Sequence, residues 1–154
     1  MNIRDLAEGD RIVLDVFARD VMEALQAVAT AAAPRLGRTE SELLAALVTR
    51  ERMGSTAVGK GFAIPHGKVA GVTTVDLSLV RFAAPLDFGA PDSSPVRFVF
   101  VVFSPPEQPT AHLKILSQIA RILKREDLRQ DLLTAAGPDE VIAALRRAAD
   151  AEGL

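Results

Sequence analysis

The run Val-Arg-Phe-Val-Phe-Val-Val-Phe at residues 96–103 constrains this chain more than any other stretch. Successive side chains of a strand point to opposite faces, and here both faces are apolar apart from Arg97. Such a strand must be covered on both sides. At eight residues it is also far too short to be a membrane span. Residues 72–82, rich in Val and Thr, predict a second strand, followed by a loop through Ala84-Pro85 and residues 89–95. Residues 11–17 read as a short strand or an extended lead-in.

Helical patterns supply the covers. Asp20 stands where an N-cap belongs, ahead of Val21, Leu25, Val28 and Ala32, and Pro34 with Gly37 ends that run. Thr39-Glu40-Ser41-Glu42 is a capping box in which the Thr39 hydroxyl accepts from the Glu42 amide while Glu42 reaches back. The helix it opens carries Leu43, Leu44, Leu47 and Val48 and ends near Met53-Gly54. Residues 110–124 place Leu113, Leu116, Ala120 and Leu123 on one apolar stripe, widened by Ile115, Ile119 and Ile122. Residues 126–135 form a further helical piece, and Pro138-Asp139-Glu140 opens a last helix. Helices that bracket and separate strands predict an α/β fold, a three-layer sandwich with a mixed sheet flanked by helices.

With 154 residues, a single domain over 1–154 is expected. Composition (49% hydrophobic, 25% charged) is that of a globular chain and excludes extensive disorder. The absence of cysteine excludes a disulfide framework, a thiolate metal site and a cysteine nucleophile. A net charge of −2 argues against nucleic acid as a partner. Arg4, Asp5, Glu8, Asp10 and Arg11 interrupt the start too early for a signal-peptide core. A cytoplasmic protein with no membrane insertion is therefore expected.

Chemistry concentrates in residues 49–68. Pro65 holds Ile64 extended and stiffens the approach to His66, beside which Gly67 leaves room. Gly59 and Gly61 flank Lys60, a pattern that can turn backbone amides toward an anion. Arg50, Arg52, Lys60 and Lys68 add positive charge. An imidazole with an ordinary pKa near 6.5 is largely neutral and nucleophilic at neutral pH, and histidine forms covalent intermediates. Arginine is the fitting partner for a phosphate dianion. His112, the other histidine, follows a proline-rich loop in the first turn of a helix, where amides and dipole favour anions.

Plainer readings stand beside these. A lone histidine can be a hydrogen-bonded structural residue, and Arg50 a solvated cation at a helix end. The Gly-x-Gly lacks the third glycine of a dinucleotide fingerprint and the Gly-Lys-Ser/Thr ending of a P-loop. The histidines are spaced for no short metal motif. A hydrolase using Ser55 or Ser104 with His66 would lack the Gly-x-Ser-x-Gly elbow.

The segment Arg50-Glu51-x-x-Gly54-Ser55-Thr56-x-x-Gly59-x-Gly61-x-Ala63-Ile64-Pro65-His66-Gly67 resembles the active-site signature of the fructose/mannitol-type IIA domains of the bacterial phosphoenolpyruvate-dependent phosphotransferase system. The wording of residues 49–56 is most similar to the nitrogen-regulatory branch, and the resemblance runs from Thr39 onward. It implies that His66 takes phosphate on Nε2 from an HPr-like phosphoprotein, with Arg50 and His112 as supporting groups. Thr56 would lie near the site, and Gly59, Gly61 and Gly67 would support the phosphate. It implies phosphoryl transfer with no cofactor and no metal. Downstream partners would be regulatory targets, such as a transporter or a sensor kinase, or a IIB domain if the chain serves sugar uptake. Met53, Phe62 and Ile64 are candidates for an exposed apolar rim that docks the donor, although core packing explains them equally well.

Overall fold

The computed structural model describes residues 2–7 and 9–154. Two 3-10 turns, Ile3–Ala7 and Gly9–Arg11, lead into β1 (Ile12–Val16), α1 (Val21–Leu36) and α2 (Glu40–Glu51). Three short strands follow, β2 (Ala57–Gly59), β3 (Phe62–Ala63) and β4 (His66–Lys68). The long strands β5 (Asp76–Leu86) and β6 (Val96–Ser104) precede α3 (Pro109–Leu123), α4 (Glu126–Thr134) and α5 (Pro138–Ala151).

Strand β6 is the spine of a six-stranded mixed sheet. It pairs antiparallel with β5 on one edge and parallel with both β3 and β4 on the other. β1 extends the sheet beyond β5, and β2 extends it beyond β3. The side chains of β6 divide as its apolarity requires. Phe98, Phe100 and Val102 join a core with Ile115, Ile119, Leu128 and Val141 of α3, α4 and α5. Val99, Val101 and Phe103 join a separate core with Leu25, Val28, Leu43 and Leu47 of α1 and α2. This is the expected three-layer sandwich, with two helices on one face and three on the other.

Local signals explain most boundaries. The Asp20 carboxylate accepts from the Glu23 amide at 2.9 Å, and the Thr39 hydroxyl accepts from the Glu42 amide at 3.1 Å. Pro34 does not stop α1; it is taken into the last turn, and Gly37 closes the helix with its amide on the Ala33 carbonyl at 3.0 Å. β5 starts four residues later than the sequence pattern suggests, at Asp76. The buried Asp76 carboxylate is bound there by Arg11 at 2.6 Å and by Arg35 at 2.7 and 2.8 Å. Burial opposes its charge, yet Arg35 and Arg11 together hold the carboxyl below the usual carboxylate value. β5 also runs through Ala84-Pro85, where a loop is expected. The register is irregular there, between Arg81↔Phe98 and Leu86↔Val96, and such a break in the ladder is where a strand tolerates proline.

Strand β4 sets His66 at one end of the sandwich, opposite Val102. α2 passes close to it: a Cβ on Gly67 would stand 2.9 Å from Ala46 Cβ and 3.0 Å from its carbonyl carbon. Glycine at 67 is therefore what lets this helix lie against the strand.

Candidate active site

The last turn of α2 and the loop after it hold the imidazole through a chain of hydrogen bonds. The Glu51 carboxylate brackets Thr56, accepting from its amide at 2.8 Å and its hydroxyl at 2.6 Å. The Thr56 carbonyl accepts from the Ile64 amide at 3.0 Å. The Ile64 carbonyl in turn accepts from His66 Nδ1 at 2.6 Å. A carbonyl can only accept, so Nδ1 carries the proton and the neutral ring keeps its lone pair on Nε2. That lone pair faces Arg50, whose Nε–H donates to it at 3.2 Å. A second guanidinium N–H anchors Arg50 on the Gly54 carbonyl at 2.8 Å.

Burial pushes the half-buried His66 below its ordinary pKa. The Ile64 hydrogen bond works the other way, and the Arg50 charge lowers it further. Both lowering effects favour the neutral ring with an unprotonated Nε2 at neutral pH.

The first turn of α3 brings in His112. Its ring centroid lies 5.4 Å from that of His66, tilted by 55°. His112 is buried, and its Nδ1 shares a short hydrogen bond with the fully buried Ser104 hydroxyl at the end of β6. With the hydroxyl donating, His112 carries its proton on Nε2, the form that can donate to an oxyanion. Burial, followed by the charges of His66 and Lys68, lowers its pKa too. The Gln108 side chain donates to the Thr73 carbonyl at 3.0 Å rather than capping α3, so no side chain caps the start of the helix near His112.

His66, Arg50 and His112 open into one cleft of about 740 Å³, which Gly67 and Lys68 also line. Met53 (79% exposed), in the turn after α2, and Leu113 (66% exposed), on α3, stand as apolar lips of the cleft. Phe62 and Ile64, the other rim candidates, are core residues at 1% and 8% exposure. Leu113, which the helical stripe assigns to the core, faces out instead; the buried face of α3 is carried by Ile115, Ile119 and Ile122.

Gly59 and Gly61 are not brought to this cleft. They shape the β2–β3 hairpin turn with φ of +93° and +92°, around Lys60 at +59°. The amides of that turn are already occupied. Lys60 N donates to the Asp92 carboxylate at 2.8 Å, and Gly61 N to the Ser94 hydroxyl at 3.3 Å. Thr56 likewise acts from behind, through Ile64, rather than by lining the cleft. Neither serine pairs with His66: Ser55 donates to the Phe88 carbonyl, and Ser104 engages His112. Two contributors escape a reading of residue types alone. Glu51 and Ser104 gain their roles only when the loop folds back and β6 ends beside α3.

The description "Phosphoenolpyruvate-dependent sugar phosphotransferase system, EIIA 2" belongs to a family whose sequence model matches residues 5–148. A nitrogen regulatory protein of Bradyrhizobium diazoefficiens is 34% identical over 145 residues, covering 94% of this chain and 95% of that protein. The crystal structure of the nitrogen regulatory protein IIA-Ntr from Neisseria meningitidis superimposes with a TM-score of 0.87 at 30% identity, over 93% of this chain and 98% of that one. The mannitol IIA enzyme of Escherichia coli, solved in complex with phosphorylated IIB, shares the fold at a TM-score of 0.77 and 20% identity, over 91% of this chain and 96% of that one. With the family match running over nearly the whole sequence, this chain belongs to the EIIA 2 family of the phosphoenolpyruvate-dependent sugar phosphotransferase system.

Proposed function

We propose that this chain is a histidine phosphocarrier of the nitrogen-regulatory type, which accepts a phosphoryl group on Nε2 of His66 from an HPr-like phosphoprotein. The observation that carries the reading is the His66 ring itself. Its proton is fixed on Nδ1 by the Ile64 carbonyl, and its free Nε2 is aimed at Arg50. The likeness to nitrogen regulatory proteins supports the regulatory branch.

In the proposed step the Nε2 lone pair attacks phosphorus in line with the donor's P–N bond. That bond breaks, its electron pair returns to the donor imidazole, and the new P–N bond forms on His66. The proton stays on Nδ1 throughout, hydrogen-bonded to the Ile64 carbonyl. Arg50 swings from the lone pair it covers to the equatorial oxygens, where its planar fork suits two of them. His112 donates from Nε2, and the dipole of α3 adds positive potential. The product is a phosphoryl group of about two negative charges on a ring that, keeping its Nδ1 proton, becomes an imidazolium, so the cleft gains about one net negative charge with the anionic oxygens outermost. Met53 and Leu113 border that charge, so a partner that docks on these lips distinguishes the two states.

The test is incubation with phosphoenolpyruvate, the first enzyme of the system and an HPr-like carrier, followed by mass spectrometry. An acid-labile gain of one phosphoryl group that is lost in His66→Ala supports the reading. No gain, or a gain that survives this substitution, overturns it.

A second reading, a separate IIA subunit for fructose- or mannitol-type sugar uptake, uses the same chemistry. It draws on the shared fold with a mannitol IIA solved in complex with phosphorylated IIB. Rapid transfer from phosphorylated His66 to a sugar-specific IIB domain would favour uptake; phospho-dependent binding to a transporter or sensor kinase, without such transfer, would favour regulation.

A further inference from the structure

A second hollow, of about 330 Å³, lies between the β2–β3 hairpin and the C-terminal end of α3. Its floor is apolar, made by the buried side chains of Phe62, Ile64 and Leu123. Three cations surround it: Lys60 from the hairpin tip, Lys124 from the end of α3 and Arg129 from α4. Among the described residues no carboxylate lines it. Among the described residues none of the three cations takes part in an ion pair. Arg129 gives one N–H to the Leu123 carbonyl at 2.6 Å, which offsets the negative end of the α3 dipole at this spot. Asp92, the acid at the hairpin, stands against Gly59 and Lys60 but is not itself a lining residue, and its carboxylate accepts from the Lys60 amide and the Ser94 amide and hydroxyl.

Cations gathered over an apolar floor repel one another until an anion joins them, and apolar walls strengthen their field. The volume sits at the lower end of the roughly 300–1,000 Å³ typical of ligand pockets. We propose that this hollow binds a small amphipathic anion, a carboxylate or phosphomonoester on a short apolar body. The acidic group meets Lys60, Lys124 and Arg129, and the body lies on Phe62, Ile64 and Leu123.

Ile64 joins this site to the first. Its side chain is part of the floor, while its carbonyl holds the Nδ1 proton of His66 at 2.6 Å and its amide is tied to Thr56. A ligand pressed onto that side chain bears on the anchor of the imidazole. By linkage, an anion that alters the anchor alters donor binding, and the donor alters anion binding by the same factor. The site stands without the phosphocarrier reading; only its effect on transfer rests on it.

The experiment titrates the full chain with octyl phosphate below its micellar concentration. Backbone amide shifts of Lys60, Ile64 and Leu123 and the ring nitrogens of His66 are followed by NMR. Saturable shifts at all four residues along one binding curve are expected. The exposed Lys124→Glu should weaken binding roughly tenfold or more while circular dichroism stays unchanged. Octanol, which lacks the charge, and inorganic phosphate, which lacks the tail, should each bind at least about tenfold more weakly.

Absence of saturation, equal binding by Lys124→Glu, or shifts confined to Arg50, His66 and His112 overturns the site. Binding with no movement of the His66 nitrogens overturns the coupling. Co-sedimentation with phosphatidylglycerol vesicles without saturable octyl phosphate binding assigns the charge to a membrane surface and also overturns the proposal. None of these readouts passes through phosphate acceptance, so failure here and failure of the phosphocarrier reading are told apart.

Discussion

His66 Nε2 accepts a hydrogen bond from Arg50 Nε at 3.2 Å, so the nitrogen proposed as the phosphoryl acceptor is covered by a guanidinium, a group suited to phosphoryl oxygens. The Gly54 carbonyl accepts from a second guanidinium N–H at 2.8 Å, which in the proposed step would keep Arg50 close once its contact to Nε2 opens. Arg50→Ala should therefore leave the fold intact and slow phosphoryl acceptance by about 10²–10³-fold, the range for losing one preorganised donor. Arg50→Lys should recover little of this, because an ammonium lacks the planar fork. Single-turnover phosphorylation, quenched in alkali, measures both; wild-type rates in Arg50→Ala would remove its proposed role.

Both histidine pKa values are lowered from 6.5, chiefly by burial. As pH falls through that value, the unfolded chain takes up protons before the native one does. Stability contributed by the two neutral rings is therefore fully present above about pH 6.5 and is lost as pH drops toward the native values. Urea midpoints should be lower at about pH 5.5 than at about pH 7.5, and the difference should shrink in a variant lacking both histidines. Acceptance of phosphate should hold its neutral-pH rate to below pH 6.5 and then fall as Nε2 is protonated beside Arg50. An NMR titration of the two rings gives the values directly.

Much of this arrangement is legible in the sequence, and the failures share a cause. The two-faced apolarity of residues 96–103 dictates helices on both sides, and Asp20 and Thr39 mark helix starts because caps are local. Gly59-Lys60-Gly61 does form the sharp turn that its glycines allow. What occupies the turn comes from Asp92, 32 residues away, and no local pattern reveals it. The choice between rim and core for Phe62 and Ile64, and the outward turn of Leu113, are decided for a similar reason. Residue type says that each can be buried, but only the packing of α3 against the sheet decides which is.

Gly67→Ala should lower stability by about 1–3 kcal/mol, as overpacking against Ala46 pushes α2 from β4. Because Arg50 rides on that helix, phosphate acceptance should fall as well. Ala46→Gly in the same chain removes the Cβ clash at 2.9 Å but leaves the backbone contact at 3.0 Å, so rescue should be partial. Denaturation curves and single-turnover rates on the single and double variants check this.

His112→Ala should slow acceptance more than Ser104→Ala does. On the proposed reading the first removes the donor assigned to the phosphoryl group, while the second only frees the tautomer that the buried hydroxyl favours. Ser104→Thr, which keeps the hydroxyl, should lie nearer wild type in rate than Ser104→Ala, whatever each does to stability. The nitrogen chemical shifts of the His112 ring report the tautomer independently of turnover. An unchanged ring in Ser104→Ala would sink this account of the serine.

Arg50 belongs to the layer packed on one face of the sheet, His112 to the layer on the other, and His66 to a strand at the sheet's end. No single half of the molecule owns the trio. A chain with either layer undocked would keep the imidazole without its escort, so on the proposed phosphocarrier reading chargeability would double as a readout of complete assembly.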